Sequence, residues 1–215
     1  MEASSGIDYR YERKYRLSGL SKAWLEQMIR LHPAGFRTLY PERRVNNIYF
    51  DTADFSAYRL NVIGAPHRRK YRLRWYGDVA ALQHPVLEVK IKNAELGYKE
   101  HYPQPDSQWS GLPHLLRHLP ALREQALQPV MVNRYRRNYW GSADGRFRIT
   151  VDDSLQFAAY RPGCAPHFLL SDDALILELK YAAEDDADAQ RIFAGLPFRQ
   201  TKNSKYVTGV NLLYY

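Results

Sequence analysis

Apolar and charged residues alternate along three strand-length segments of the chain. In VLEVKIK (residues 86–92), the apolar residues at every second position lie opposite Glu88 and Lys90, because successive side chains of a strand point to opposite faces. The segments FRITVDD (147–153) and LILELKY (175–181) repeat this arrangement. The pattern predicts several strands of one design, each with an apolar face and a charged face.

Similar but shorter patterns extend the prediction to the rest of the chain. Further strands are predicted at residues 9–17, 45–50, 70–76, 97–102, 130–140 and 206–213. Helices are predicted at residues 21–31, 55–60, 112–125 and 185–195, with Ser21 as the N-cap of the first and Pro120 inside or ending the third. No repeat or Gly/Ser-rich linker divides the sequence. We therefore expect a single domain over residues 1–215.

The segment KYRLRWYG (70–77) places Arg72 and Arg74 on one side of a strand. Taken alone, such a face is most often exposed to water. A wide antiparallel sheet, however, tends to curl and close, which gives it an interior and an exterior face. If helices cover the apolar exterior, the charged faces share an interior. The predicted fold class is therefore α+β, an antiparallel β-barrel tunnel with helices packed on the outside.

The charge balance indicates which kind of ligand this interior could bind. Lys and Arg number 31 against 23 Asp and Glu, a formal net charge of +8. The predicted interior contains Arg72, Arg74, Lys90, Arg148, Lys180, Arg137, Lys14 and Lys99. Because crowded cations repel one another, a ligand rich in negative charge is expected to balance them. Guanidinium groups bind phosphate oxygens in bidentate fashion, so a phosphate chain fits.

Carboxylates share the same charged faces. Glu12, Glu88, Asp152 and Glu178 could each pair with a neighbouring cation, which is the favoured interpretation for Glu88 and Asp152. A carboxylate among phosphate-binding lysines could instead hold Mg²⁺ or Mn²⁺, since both ions prefer oxygen ligands and bridge to phosphate. Glu178 is the leading candidate ligand.

Other features restrict the setting of the protein. A single cysteine, Cys164, excludes an internal disulfide framework. The N-terminal residues lack an apolar signal region, and no window approaches the roughly 18 apolar residues of a membrane span. We expect a soluble, cytoplasmic protein without a transmembrane segment.

Nine collinear motifs resemble the VTC-type polyphosphate polymerase domain of the triphosphate tunnel metalloenzyme superfamily, also called CYTH-like. They are YERKY (11–15), NNIYFDT (46–52), YRLRWYG (71–77), LEVKIK (87–92), YKEHY (98–102), NRYRRNYW (133–140), FRITVDD (147–153), LELKY (177–181) and NSKYV (203–207). The resemblance covers nearly the whole chain. Each motif is weak alone, but their shared order is a strong signal.

The resemblance implies roles for particular residues. Phosphate-binding positions of the family match Lys14, Arg72, Arg74, Lys90, Lys99, Arg137, Arg148 and Lys205, and Lys180 is expected beside them. Of these, Arg72, Arg74, Arg137 and Arg148 would clamp the reacting phosphates. The metal-binding glutamate matches Glu178, with Glu12 and Glu88 as alternative ligands for Mn²⁺ or Mg²⁺.

One departure separates branches of the superfamily. Hydrolytic and cyclase members carry Glu-x-Glu-x-Lys on the first strand, whereas this chain has Arg10 at the first position, followed by Glu12 and Lys14. The missing carboxylate favours a polymerase over a triphosphatase or a cyclase.

Three functions remain open. The resemblance implies transfer of the γ-phosphoryl group of ATP to a polyphosphate chain. The alternatives are a metal-dependent inorganic triphosphatase and a non-catalytic polyphosphate-binding module. A nucleic-acid partner is disfavoured because the basic residues converge on an interior and form no open stripe. A membrane-protein partner and the regulation of the protein stay undetermined.

Overall fold

The structure is a computed structural model that describes residues 10–93 and 96–215. Its strands are β1 (Arg10–Leu17), β2 (Arg37–Asp51), β3 (His67–Tyr76), β4 (Ala81–Leu82), β5 (Val86–Asn93), β6 (Leu96–Pro103), β7 (Ser107–Gln108), β8 (Gln128–Gly141), β9 (Arg148–Ala159), β10 (Leu170–Asp172) and β11 (Leu175–Ala182). Its α-helices are α1 (Lys22–Leu31), α2 (Ser56–Val62), α3 (Leu112–Arg117), α4 (Pro120–Glu124), α5 (Asp186–Ala194) and α6 (Lys205–Tyr214).

One antiparallel sheet dominates the fold, as the alternating patterns predicted. Its strand order is β1-β11-β9-β8-β2-β3-β5-β6, with β10 paired to β9. The two end strands, β1 and β6, come into contact with each other, so the sheet curls round on itself. Strands β4 and β7 form a separate small ribbon. The sheet thus has a concave inner face and a convex outer face.

Helices cover the outer face in two places. Leu25 and Ile29 of α1 and Ile192 of α5 pack against apolar side chains of β1, β8, β9 and β11. Helices α3 and α4 pack in the same way against β2, β3 and β5, in a second cluster that includes Leu73 and Trp75. The helices thus bury the apolar faces of these strands on the outside of the sheet. The charged faces of the same strands therefore point to the inside.

The C-terminal segment corrects the prediction of a strand at residues 206–213. These residues belong to helix α6, which packs against the inner face of the sheet through Tyr206 and Val210. Ser204 caps the helix by accepting a hydrogen bond from the backbone of Val207. At Gly209, a Cβ atom would stand 2.6 Å from the side chain of Met131, so glycine permits this close approach. Not every helix is therefore outside the sheet.

Smaller differences concern element boundaries. Tyr9, predicted in the first strand, lies outside the described residues. Strand β2 begins at Arg37 instead of residue 45. Its polar first half pairs with β8 through register shifts, so this part of the strand shows no alternating pattern in the sequence. The predicted helix at 112–125 is two short helices, and Pro120 begins the second. None of the described helices is long and apolar enough to cross a membrane.

Candidate functional site

A cavity on the inner face gathers side chains from seven strands and from α6. Its lining residues are Glu12, Lys14, Tyr49, Lys70, Arg72, Arg74, Lys90, Lys99, Tyr135, Arg137, Glu178, Lys180, Ser204, Lys205 and Tyr206. Nine of these side chains are cationic and two are carboxylates. Two more carboxylates, Glu88 and Asp152, pair with lining residues from neighbouring strands. With four carboxylates against nine basic side chains, the described cluster keeps an excess of positive charge.

Strand β3 shows how the sequence builds this cavity. Tyr71, Leu73 and Trp75 are buried against the outer helices, so the residues between them must face inward. Arg72 and Arg74 accordingly line the cavity. The segment KYRLRWYG therefore has an interior charged face, because its apolar face is held by the outer core.

Glu88 holds two of the arginines in place. Its Oε2 atom accepts hydrogen bonds from Nε (2.9 Å) and Nη2 (2.5 Å) of Arg72, and its Oε1 lies 3.4 Å from Nη1 of Arg74. Burial raises the pKa of Glu88, but Arg72 and Arg74 outweigh burial and hold it below its usual range. The geometry agrees with pairing as the favoured interpretation of Glu88.

Asp152 does the same for a second pair of cations. Arg137 donates to both carboxylate oxygens, from Nε at 2.5 Å and from Nη2 at 2.6 Å, and Nζ of Lys205 lies 2.5 Å from Oδ2. Asp152 is fully buried. Because Lys205 is the first residue of α6, this contact also fixes the start of that helix inside the sheet.

Glu12 and Glu178 form the remaining acidic pair. Lys14 and Lys180 bridge them: Nζ of Lys14 lies 3.3 Å from Glu178 and 3.9 Å from Glu12, and Nζ of Lys180 lies 3.2 Å and 3.7 Å from the same carboxylates. Lys90 also donates to Glu12. Burial raises the pKa of Glu178, whereas Lys14, Lys180 and Arg137 lower it well below its usual value.

Buried amides, which the sequence reasoning missed, orient Arg74. Its Nε donates to Oδ1 of Asn47 at 2.9 Å, and Asn47 donates in turn to Oδ1 of Asn133. Nη2 of Arg74 also donates to the hydroxyl of Tyr135 at 3.2 Å. Asn47 and Asn133 alternate with the apolar residues Ile48 and Val132 of their strands, and this is the signal that could have located the network, since buried amides require partners.

Lys14, Lys70 and Lys90 differ in how far nearby carboxylates compensate their positive charge. Burial lowers the pKa of Lys14, but Glu12 and Glu178 outweigh it and raise that pKa. Burial lowers the pKa of Lys90 to about 8, with Glu12 offsetting only part of the effect. Burial and neighbouring cations lower the pKa of Lys70 well below its usual value. Lys70 and Lys90 therefore lack full charge compensation from the protein.

Acidification is expected to destabilise the fold through the interior carboxylates. The folded-state pKa values of Glu12, Glu88, Asp152 and Glu178 lie below their usual 3.8 to 4.5. Their ion pairs thus contribute stability above that range, which is lost as pH falls through the folded-state values. Urea unfolding between pH 6 and pH 3 should show a steep decline below about pH 4.5. A flat profile would contradict the strength of these pairs.

Ten of the twelve predicted site residues line the cavity, and two do not. Glu88 lies on the same inner face, opposite Arg72 in the pairing of β3 with β5, but is not part of the lining. Arg148 is exposed at the first position of β9, on the same strand face as Asp152 but outside the cavity lining. Lys70, Tyr49 and Tyr135 line the cavity without having been predicted. Lys70 is two residues before Arg72, so the alternation that selected Arg72 also selects it.

The fold and the site together define the class of the protein. A curled antiparallel sheet with a cationic inner face is the architecture expected from the resemblance to the triphosphate tunnel, or CYTH-like, superfamily. The model of the VTC domain family matches residues 10–214, so the chain belongs to that family. No curated protein matches it by sequence.

Solved structures share the fold at low sequence identity. A proposed adenylate cyclase from Vibrio parahaemolyticus superposes with a TM-score of 0.57 at 12% identity, over 94% of this chain and 99% of its own. A proposed adenylyl cyclase from Hippeastrum, described as having a dominant triphosphatase activity, superposes with a TM-score of 0.55 at 14% identity, over 96% and 97% of the two chains. A Pyrococcus horikoshii protein gives a TM-score of 0.56 at 11% identity.

Proposed function

We propose that the protein is a polyphosphate polymerase-like enzyme, which transfers the γ-phosphoryl group of ATP to a polyphosphate chain inside the tunnel formed by its curled sheet. The observation that carries the proposal is the charge of the cavity: nine basic side chains converge on it, and four carboxylates compensate only part of their positive charge. A phosphate chain supplies the missing negative charge at regular spacing. Membership of the VTC domain family supports the same substrate class.

The arginines would bind the reacting phosphates. Arg72, Arg74 and Arg137 are each paired with a carboxylate, which holds their guanidinium groups in the lining of the cavity. A terminal oxygen of the chain attacks the γ-phosphorus, the bond to the bridging oxygen breaks, and ADP leaves. Such a reaction depends mainly on positioning and on neutralising charge, which fixed guanidinium groups provide.

The lysines would line the path of the chain. Lys14, Lys90, Lys99, Lys180 and Lys205 lie around the cavity on four strands and on α6. As point charges on flexible stems, they suit a chain that must slide after each addition. Arg148, at its exposed position, would contact phosphate only where the chain or the nucleotide extends beyond the cavity.

A divalent cation, Mn²⁺ or Mg²⁺, fits Glu12 and Glu178 better than Glu88. Glu12 and Glu178 line the cavity and pair mainly with lysines, whose flexible stems can move aside for a cation. Glu88 is not among the lining residues, and its two oxygens pair with Arg72 and Arg74. No group of three or more potential ligands occurs among the residues that the structure describes. Mg²⁺ is commonly held by one or two carboxylates together with substrate phosphates, so two suffice. When bound, the ion would neutralise phosphate charge.

A metal-dependent triphosphatase is the second candidate. The paired carboxylates Glu12 and Glu178 favour it, because a metal held there could serve a water acceptor equally well. The fold shared with the Hippeastrum protein agrees with this candidate. A non-catalytic polyphosphate-binding module would use the same cations without turnover.

A product assay separates the three functions. The protein is incubated with ATP or tripolyphosphate and with Mn²⁺ or Mg²⁺, and products are resolved by gel electrophoresis and phosphorus NMR. A polymerase yields ADP and long chains. Orthophosphate with consumption of tripolyphosphate would instead establish a triphosphatase, and tight binding of chains without any product would establish a binding module.

The cytoplasm, which supplies ATP and divalent ions, is the proposed setting.

Binding of a phosphate chain should be coupled to protonation of Lys90. Its pKa is about 8 in the free protein, and a bound anion would raise it. Affinity should therefore fall as pH rises through about 8, by up to tenfold per unit, and proton uptake should accompany binding. Calorimetry of tripolyphosphate binding in buffers of different ionisation enthalpy measures that uptake.

The variant Lys90→Arg is the control for this coupling, because arginine keeps its charge over the whole range. The difference in proton uptake between the native protein and the variant gives the contribution of Lys90, because protons taken up by the ligand contribute equally to both measurements. Equal uptake by both proteins would show that Lys90 is already charged or does not contact the chain.

A further inference from the structure

We propose that a cluster at one end of the tunnel binds the nucleobase of the nucleoside triphosphate. The cluster, here called the rim cluster, comprises Tyr40, Arg43, Tyr76 and Tyr139. This inference deepens the proposed function and rests on it, since it assumes that a triphosphate occupies the cavity.

The rim cluster continues the inner faces that carry the phosphate-binding arginines. Tyr76 follows Arg74 by two residues on β3, and Tyr139 follows Arg137 by two residues on β8. Two residues along a strand correspond to about 7 Å, so both rings stand just beyond the arginines on the same face. Arg43 lies directly opposite Arg137 in the pairing of β2 with β8. A nucleotide with its phosphates at the arginines would thus carry its base into the cluster.

The chemistry of the cluster suits a flat aromatic ligand. The guanidinium carbon of Arg43 lies 5.1 Å, 5.6 Å and 5.7 Å from the ring centroids of Tyr40, Tyr76 and Tyr139. Tyr40 is 43% exposed and Tyr76 is 40% exposed, so both offer ring surface to a ligand. Bases stack on tyrosine rings and on arginine planes alike.

Arg43 also differs from the arginines of the cavity. Arg72, Arg74 and Arg137 each pair with a carboxylate, but Arg43 has no carboxylate partner among the described residues. Its planar group lies against the three tyrosine rings of the cluster. An unpaired guanidinium beside exposed rings can stack on a base without first breaking an ion pair.

The opposite end of the tunnel has a different character. A cleft beside α6 joins the cavity at Lys70 and contains Arg68, Lys92 and Lys202. Its tyrosines are both in ring pairs, Tyr58 with Tyr215 and Tyr11 with Tyr181. In the rim cluster Tyr40 packs edge-on against Tyr139, but Tyr76 forms no ring pair among the residues that the structure describes. Strand β3 therefore leads from a cationic end at Arg68, through the arginines, to an aromatic end at Tyr76. This polarity places the base at the rim cluster and the phosphate chain toward the cleft.

The test compares ATP with tripolyphosphate, which has the phosphates but no base. Dissociation constants of both are measured by calorimetry for the native protein and for Tyr76→Ser, Tyr76→Phe and Tyr102→Ser. We expect Tyr76→Ser to weaken ATP binding by about tenfold, as loss of one stacking ring does, and to leave tripolyphosphate binding unchanged. Tyr76→Phe keeps the ring and should keep the affinity for ATP.

Tyr102→Ser is the matched control. Tyr102 is 46% exposed and pairs with Leu87 of the outer core, so it lies on the outer face of the sheet. Its loss should change neither affinity.

Two results with Tyr76→Ser would overturn the inference: equal weakening of ATP and tripolyphosphate binding, or no weakening of ATP binding. A native protein that binds tripolyphosphate but not ATP would overturn it too, while keeping a phosphate-chain site. Binding of neither ligand would refute the proposed function itself.

Discussion

Replacing Arg137 by alanine is expected to lower turnover of ATP or tripolyphosphate by about a thousandfold or more, the range in which a charge-neutralising arginine contributes to phosphoryl transfer. The same change should destabilise the fold by about 3 kcal/mol, because Asp152 would stay buried with Lys205 as its remaining charged partner. Steady-state kinetics at saturating substrate and urea unfolding measure the two effects.

Arg136 provides the matched control, since it is the adjacent residue on the opposite face of β8. Its side chain is 46% exposed and pairs with Asp153 and Glu42. Arg136→Ala should leave turnover nearly unchanged and cost less than about 1 kcal/mol. Similar kinetic losses in both variants would show that the inner position of Arg137 has no special role in the reaction.

Replacing Glu178 by glutamine is expected to remove metal-dependent turnover while keeping or strengthening the binding of tripolyphosphate. The variant loses one of the two carboxylates proposed to hold the cation. It also frees Lys14 and Lys180, which pair with Glu178 in the native protein, for contact with phosphate. Turnover is followed against Mn²⁺ and Mg²⁺ concentration, and binding is measured by calorimetry with a chelator present.

Glu100→Gln is the control for this variant, because Glu100 lies on β6 and accepts a hydrogen bond from Tyr102 outside the cavity. It should leave metal dependence and binding unchanged.

Glu12→Gln should weaken the response to metal, whereas Glu88→Gln should act mainly by releasing Arg72. Unchanged metal dependence in Glu178→Gln would assign the metal to other residues.

Much of the inner face followed from the sequence because strand geometry leaves little freedom. Once Leu87 and Val89 are assigned to a core, Glu88 and Lys90 must lie on the other face. The same rule placed Arg72, Arg74, Glu178 and Lys180 correctly, since each alternates with residues now seen in an outer core. Alternation fixes a face, and the curl of the sheet turns that face into an interior.

Features that depend on contacts between distant segments did not follow. Helix α6 was predicted as a strand, although Ser204 as a cap and the spacing of Tyr206 and Val210 fit a helix. Its place inside the sheet depends on Gly209 meeting Met131. No local pattern shows that contact.

The rim cluster escaped prediction for a similar reason. Tyr40 and Arg43 lie in a part of β2 whose register shifts hide any alternation. Their approach to Tyr76 and Tyr139 requires the pairing of three strands. Only the assembled sheet reveals that aromatic side chains follow the arginines at this end.

The most direct test of the account is a crystal structure of the protein with tripolyphosphate. The account predicts three consecutive phosphates within hydrogen-bonding distance of Arg72, Arg74 and Arg137, on the concave side of the sheet. The account would be contradicted if phosphate density were confined to the outer surface of the sheet. The inner cations would then still pair only with Glu12, Glu178, Glu88 and Asp152.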